Sequence, residues 1–479
     1  MVGIVSYSAY VPQYRISRKT ISSAMGWLNL AALPGEKAVA NYDEDSLTMA
    51  VAANLDCLKG TERRTIDSLY FATATAPYQE RESAAIIATA LDLRSDIRTA
   101  DFTNSLKAGT SALLLACESV KSGGVRNALV CASDCRLGKP GGSQEMIFGD
   151  GAAALLISNE GVMASLEGSY SVSYDFPDHW RTTHDKFDRA SEDRWIRDEG
   201  YTKFIPEAIS GLMKKAGMEA KDLAKVIYPC LYPRDHAAIG RRLEFQPGQI
   251  QEPLLAVVGE SGTASPLMML VAALEEAKPG DNILVVSYGN GSEALLFKAT
   301  EEIEKRREGM GIKKRLASKR ELDLYEKYLT FRGILPVEVG LRGEVGPTHM
   351  PVAWRDRRTI LALYGVKCKR CGTPQYPAQR VCVNPDCGAI DEMEDYCFSD
   401  KRCTLFSYTE DHLAFSLSPP QIYGMIDFEG GGRYVFDITD CESGTLKVGV
   451  PMQMTFRRKY ADEVRGIYGY FWKATPVRE

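Results

Sequence analysis

Cys368-Lys-Arg-Cys371 and Cys382-Val-Asn-Pro-Asp-Cys387-Gly set four thiols in two close pairs, each on a turn that carries Gly or Pro. Two such pairs close a tetrahedral all-sulfur site, the arrangement zinc takes in structural centres. With Cys368, Cys371, Cys382 and Cys387 as ligands, no position stays open for catalysis. The bound metal stabilises a fold too small to build its own core, so this stretch is expected to be a small zinc-stapled unit. The other eight cysteines, at 57, 117, 131, 135, 230, 397, 403 and 441, are scattered. The chain opens on Met1-Val-Gly-Ile-Val-Ser-Tyr, which reads as a strand and not as a secretory leader, so they are expected to be reduced core thiols in a cytoplasmic protein.

After the knuckle, short strands between turns are expected at Cys403–Thr409, Gln421–Phe428, Tyr434–Thr439, Gln453–Arg458 and Gly466–Lys473. Five strands suit an OB-type barrel. Upstream, Thr300 to Arg332 alternates charge signs and predicts a solvated helical stretch, and a Gly/Pro-bearing linker from Gly333 to Pro351 sets the tail apart.

The body reads differently. Strand-like runs at Val2–Tyr10, Ser68–Ala76, Arg98–Thr103, Ala128–Ser133 and Ala152–Ser158 alternate with helical patterns at Glu82–Leu93 and Leu106–Lys121. A comparable series follows, with strands at Tyr170–Asp175, Val226–Leu231, Ile283–Tyr288 and Ala294–Phe297 and helices at Lys203–Ala216, Ala237–Leu243 and Ser265–Ala277. Such alternation predicts βαβ units, a largely parallel sheet and two similar halves. Asp43-Glu-Asp-Ser-Leu-Thr-Met is a helix start with acids expected in its first turn.

Asp101-Phe-Thr-Asn-Ser-Leu-Lys-Ala-Gly-Thr110 runs a strand into a helix, and helix N-termini favour the thiolate form of a nucleophilic cysteine. This segment resembles the nucleophile motif of 3-hydroxy-3-methylglutaryl-CoA synthases, in the thiolase-like superfamily, with Leu106 standing where the motif has its cysteine. Phe176-Pro-Asp-His-Trp-Arg181 and Lys278-Pro-Gly-Asp-Asn-Ile-Leu-Val-Val-Ser-Tyr-Gly289 are also similar to synthase segments. The resemblance implies an α/β, thiolase-like five-layered αβαβα body. It also places Ala74 at the family's catalytic Glu, Pro229 at its His and Glu260 at its Asn. Four departures in register imply a dismantled site, because the condensation needs all of these groups.

Two neighbours keep a rewired site open as an alternative. Cys230 follows Pro229 in the expected strand and should face away from the old pocket, and His236 lies a few residues further on.

In the tail, Pro374-Gln-Tyr-Pro-Ala-Gln-Arg380, Gly424-Met-Ile-Asp-Phe and Leu446-Lys-Val-Gly-Val-Pro resemble the rubredoxin-like zinc ribbon plus OB-fold family that partners thiolases and these synthases. That resemblance implies CoA esters as ligands and a catalytic thiolase subunit as partner, in a homodimer or hetero-oligomer. Arg457, Arg458 and Lys459 are the basic residues offered to CoA phosphates. The expected division is 1–165 and 166–299 for the two halves, 300–350 for the charged extension and linker, 351–398 for the ribbon and 399–479 for the OB-fold.

A net charge of −5 gives no global basic field, so nucleic acid is not the expected partner, although an OB-fold with a ribbon leaves that class as an alternative. The longest apolar runs fall far short of the roughly 18 residues a membrane helix needs. The reading is an acyl-CoA-binding protein with a degenerate site, the scaffold and CoA-bridging subunit of a thiolase complex. The alternative is an active acyl-CoA synthase or thiolase with relocated catalytic groups.

Overall fold

The computed structural model describes residues 1–28, 33–305, 311–338 and 348–477. Its contacts fall into two units. The first comprises Met1–Asn41, Asp45–Ala85 and Arg94–Tyr328, and the second Tyr42–Glu44, Ile86–Leu93 and Leu329–Glu479.

The first unit is built on one nine-stranded sheet. Its strands are β1 (Gly3–Tyr10), β2 (Ser68–Ala72), β3 (Arg98–Phe102), β4 (Ala128–Asp134), β5 (Gly151–Ser158), β6 (Ala164–Ser173), β7 (Lys225–Ile227), β8 (Asn282–Tyr288) and β9 (Gly291–Ala299), in the order β7-β8-β9-β6-β1-β5-β4-β2-β3. The two predicted series meet where β1 pairs with β6 at Gly3–Ser165 and Ile4–Ala164. A Cβ on Gly3 would lie 2.0 Å from the Ala164 carbonyl oxygen, so only glycine allows this seam.

The sheet is mixed, not largely parallel. β2 runs parallel to β3 and β4, and β7 to β8, whereas β1–β5, β4–β5, β1–β6, β6–β9 and β8–β9 are antiparallel. Short links such as Gly289–Asn290 between β8 and β9 make hairpins, which the strand and helix periods alone do not reveal.

Helices α1 (Ser46–Cys57), α2 (Ala108–Lys121), α3 (Thr202–Ala216) and α4 (Ser265–Leu274) cover the sheet. Ala112, Leu113 and Ala116 of α2 and Leu267 to Leu274 of α4 share one core with β1, β4, β5, β8 and β9. On the other side Ile205, Ile209 and Leu212 of α3 pack with Val226, Val286 and Leu296. α1 opens with a capping box in which Asp45 accepts from Thr48 N at 2.9 Å. No acid lies in its first turn, which corrects the expectation, because the helix begins at Ser46.

β7 stops at Ile227, short of the predicted Val226–Leu231, since Pro229 has no N–H for the ladder. Pro229 and Cys230 therefore lie beyond the strand, and strand alternation does not set the directions of their side chains. The charged stretch forms three short helices, Glu302–Lys305, Ile312–Ala317 and Tyr325–Phe331, in place of one helical run. Residues 306–310 of that stretch and 339–347 of the linker lie outside the described residues.

In the second unit β10 (Tyr364–Cys368), β11 (Pro374–Gln375) and β12 (Met393–Cys397) make a small antiparallel sheet. β13 (Cys403–Asp411), β14 (Gln421–Phe428), β15 (Arg433–Asp437), β16 (Pro451–Asp462) and β17 (Ile467–Pro476) follow in the order β15-β14-β13-β16-β17. The five expected tail strands are present, and an Ile438–Ala474 bridge brings the two outer strands together as a barrel requires. Ribbon and barrel share an aromatic core in which Tyr376 stacks on Phe436 at 5.8 Å and Phe398 meets Phe428 at 4.9 Å. The turn Gly430-Gly431-Gly432, with φ of 83°, 139° and 91°, lets β14 and β15 turn directly over that core.

Candidate functional site

The ribbon brings its four cysteines together through two tight turns. Gly372 N–H donates to the Cys368 carbonyl at 2.8 Å, and Cys387 N–H to the Asn384 carbonyl at 3.0 Å. All four sulfurs lie within 4.8 Å of one another, with Cys371–Cys382 at 3.5 Å and Cys368–Cys387 at 3.8 Å. A zinc with bonds of about 2.3 Å separates its tetrahedral sulfurs by roughly 3.8 Å, so the set fits the ion. Among the described residues this is the one group of His, Cys, Asp or Glu drawn together closely enough to hold a metal.

The first unit assembles a second, all-protein constellation at the ends of β2 and β4. Asp134, the last residue of β4, is fully buried. Its Oδ1 accepts from Ala74 N at 2.7 Å, Thr73 Oγ1 at 2.9 Å and Thr75 Oγ1 at 2.8 Å, and its Oδ2 from Thr263 N at 2.8 Å and Thr263 Oγ1 at 2.9 Å. Gly262, at φ 60°, passes so close that a Cβ there would sit 2.2 Å from Oδ2. One carboxylate thus ties the loop bearing Ala74 to the turn bearing Glu260.

Glu260 is held from both sides, by Gly262 N–H at 2.9 Å and by Arg136 Nη1 at 2.7 Å. Arg136 reaches on to Asp188 at 2.7 Å and lies 3.9 Å over the Phe148 ring. Arg181 stands 3.7 Å from Asp188 and donates to the Ala74 carbonyl. The contacts close a loop: Ala74, Arg181, Asp188, Arg136, Glu260, the Gly262–Thr263 turn, Asp134 and back to Ala74. Burial alone would lower the Arg136 guanidinium, but Glu260 and Asp188 more than offset it and keep it charged. Burial pushes the Glu260 carboxyl up, and Arg136 pulls against that shift.

Leu106 is buried in the turn before α2, which starts at Ala108 and not at Leu106 as expected, and there Ser105 Oγ donates to the Gly289 carbonyl at 3.0 Å. Gly289 lies against the turn that leads into that helix, since a Cβ on it would sit 2.9 Å from Leu106 N. Pro229 is also buried, and its carbonyl accepts from Tyr201 Oη at 2.6 Å. Burial pushes the Cys230 thiol up to about 12 and pulls the His236 imidazole down to about 4. His236 stacks on Tyr228 at 4.2 Å, with Nε2 at 3.3 Å from the Tyr228 carbonyl. An imidazole pulled down to about 4 is a weak base, and a thiol pushed up to about 12 is hard to deprotonate.

The three tail cations do not form the exposed phosphate-binding edge expected of them. Arg457 is 2% exposed, pairs with Asp440 at 2.6 Å and contacts Glu44. Arg458 gives its N–H to the Asp43 carbonyl at 2.9 Å and its guanidinium to the Tyr42 carbonyl at 2.8 Å. Lys459 keeps an exposed ammonium, 3.0 Å from Asp437. The strand that bears them turns these charges toward acids and carbonyls of its own unit.

Comparison with known proteins places both parts. The hydroxymethylglutaryl-CoA synthase of Methanopyrus kandleri is 35% identical over 317 residues, 64% of this chain and 90% of that one. The chain belongs to the hydroxymethylglutaryl-CoA synthase family. Another family member, from Pyrococcus furiosus, is 34% identical over 316 residues, 64% of this chain and 89% of its own. Among solved structures, an HMG-CoA synthase complexed with CoA superposes with a TM-score of 0.63 at 18% identity, covering 73% of this chain and 94% of that one. MvaS in complex with 3-hydroxy-3-methylglutaryl coenzyme A superposes at 0.60 and 19% identity, covering 72% and 94%. In the tail, residues 356–391 match the ChsH2 rubredoxin-like zinc ribbon domain and 398–457 the ChsH2 C-terminal OB-fold domain. This synthase-family chain is therefore a thiolase-like body fused to a zinc ribbon and an OB-fold, with Cys368, Cys371, Cys382 and Cys387 as the structural zinc site.

Arg136, Asp188, Asp134 and Arg181 were not singled out in the sequence. The available signal was Glu260, since a buried acid in place of an amide requires a cation nearby.

Proposed function

We propose that this synthase-family chain binds CoA esters without transforming them, and serves as the scaffold and CoA-bridging subunit of a cytoplasmic thiolase complex that makes or breaks C–C bonds in acyl-CoAs. The observation that carries the reading is the Arg136–Glu260 pair. The resemblance assigns Asn to position 260, and a buried carboxylate there is neutralised by a guanidinium, so neither group is free to polarise a thioester. Leu106 supplies no nucleophile, Ala74 no acid or base and Pro229 no imidazole.

Ligand binding is supported separately from chemistry. Relatives of this fold have been solved with CoA and with 3-hydroxy-3-methylglutaryl coenzyme A, and the ribbon and OB-fold belong to a family that resemblance pairs with thiolases. Zinc holds the ribbon and takes no part in a reaction.

The test is titration of the full chain with acetyl-CoA, followed by addition of the chain to the thiolase it accompanies. Saturable binding, recovery of intact thioester and a rise in the thiolase's kcat/KM support the proposal. No binding at millimolar ligand overturns the CoA part, and an unchanged thiolase rate at saturating chain overturns the bridging part.

A further inference from the structure

His179–Trp180 and Arg189–Ala190 form a two-stranded hairpin that joins no other sheet. Its tip is self-contained, because Asp185 accepts from Thr182 Oγ1 at 2.7 Å and from Arg189 at 2.6 Å. Its base is tied to the constellation around Glu260. Asp188 N–H donates to the Leu137 carbonyl at 3.0 Å, and the Asp188 carboxylate holds Arg136. Arg181 reaches the Ala74 carbonyl, and Gln79 Nε2 donates to the Thr183 carbonyl at 3.4 Å.

We propose that this hairpin is a strap latched across the Ala74–Glu260 site, with Arg136 as the latch and Glu260 as the positioning residue that sets it. Arg136 is shared between one acid on the strap and one behind it. Glu260 holds the guanidinium where Asp188 meets it, so the residue that replaces an amide acquires a purpose other than chemistry. Releasing the strap breaks a buried, hydrogen-bonded charge pair, so opening of 179–191 is coupled to loss of the Arg136 contacts. The inference rests on the reading of the site as non-catalytic, but its readout needs neither ligand nor turnover.

The experiment is hydrogen exchange on the full chain, following the amides of 179–191 beside those of β4 and β5. Asp188→Asn and Glu260→Gln should each raise exchange in 179–191 by at least about tenfold more than in β4 and β5. Glu260 lies outside the strap, so a merely local role for Asp188 does not move the second variant. Unchanged protection of 179–191 in Glu260→Gln overturns the latch, and so does equal loosening of the strap, β4 and β5. Should Glu260→Gln fail to fold, Arg136→Lys and Arg181→Ala carry the same expectation. A strap that opens as expected in a chain that binds no acetyl-CoA leaves the latch standing and removes the CoA reading.

Discussion

Glu260 Oε2 stands 2.7 Å from Arg136 Nη1, and each side chain is 4% exposed. A charge pair so deeply buried is tolerated because further bonds, from Gly262 N–H and to Asp188, satisfy its remaining donors and acceptors. Removing one partner leaves the other charged and stranded. Glu260→Ala should therefore lower the stability of the first unit by about 3 to 5 kcal/mol, read from urea denaturation. A change below about 1 kcal/mol would mean that the pair is weakly held.

Leu106→Cys should not create a condensing enzyme. The new thiol would sit in the turn before α2, yet no acid or imidazole stands at 74 or 229 to move protons, and such groups act as a unit. Assay of the variant with acetyl-CoA and acetoacetyl-CoA should stay at background. Multiple turnovers per chain would show that proton transfer is supplied from elsewhere.

Zinc should be present at one ion per chain by elemental analysis. The small cluster around the site consists of Cys368, Cys382 and Ala389, with Cys387 and Met393 beside it, so three of its five members are ligands. Without metal that cluster has little to bury. Chelation or Cys371→Ser should unfold the loops around the ligands while the aromatic core of the barrel persists, as exchange of β14 and β17 amides will report. Purified protein with no metal and an ordered ribbon would contradict this.

His236 predicts a pH dependence with a definite sign. Its folded value of about 4 lies below the ordinary 6.5, so between these values the unfolded chain binds a proton that the folded chain refuses. The stabilisation is fully present above pH 6.5 and is lost as pH falls toward 4, a change of up to about 3 kcal/mol. His236→Gln should flatten that part of the stability profile. Equal slopes in both proteins would show that other groups cause the dependence.

Gly432→Ala tests the junction of ribbon and barrel. At φ 91°, a Cβ there would lie 2.7 Å from Phe398 Cε1, in a backbone region L-residues avoid. The variant should lose about 1 to 3 kcal/mol of barrel stability in denaturation. An alanine variant as stable as the parent would mean that the turn can relax.

Much of this architecture was legible because it is written in local pattern. The cysteine spacing located the ribbon, alternating runs located the barrel strands, and the segment around Leu106 located the family. The direction of β5 and β9 was not legible, since strand period is the same in parallel and antiparallel sheets. Arg457 was offered to CoA phosphates from its place in a basic run, and its burial depends on Glu44 and Asp440, which the run itself does not reveal. The partners of Glu260 were hidden in the same way, because Arg136 and Asp188 are 124 and 52 residues from their respective partners Glu260 and Arg136.

The most direct measurement of the central claim is incubation of the purified full chain with acetyl-labelled acetyl-CoA and acetoacetyl-CoA, followed by intact-mass analysis and product assay. The account predicts reversible binding, an unmodified protein mass and no condensation above background. A covalently acetylated cysteine, or product formed in excess over chain, would contradict it.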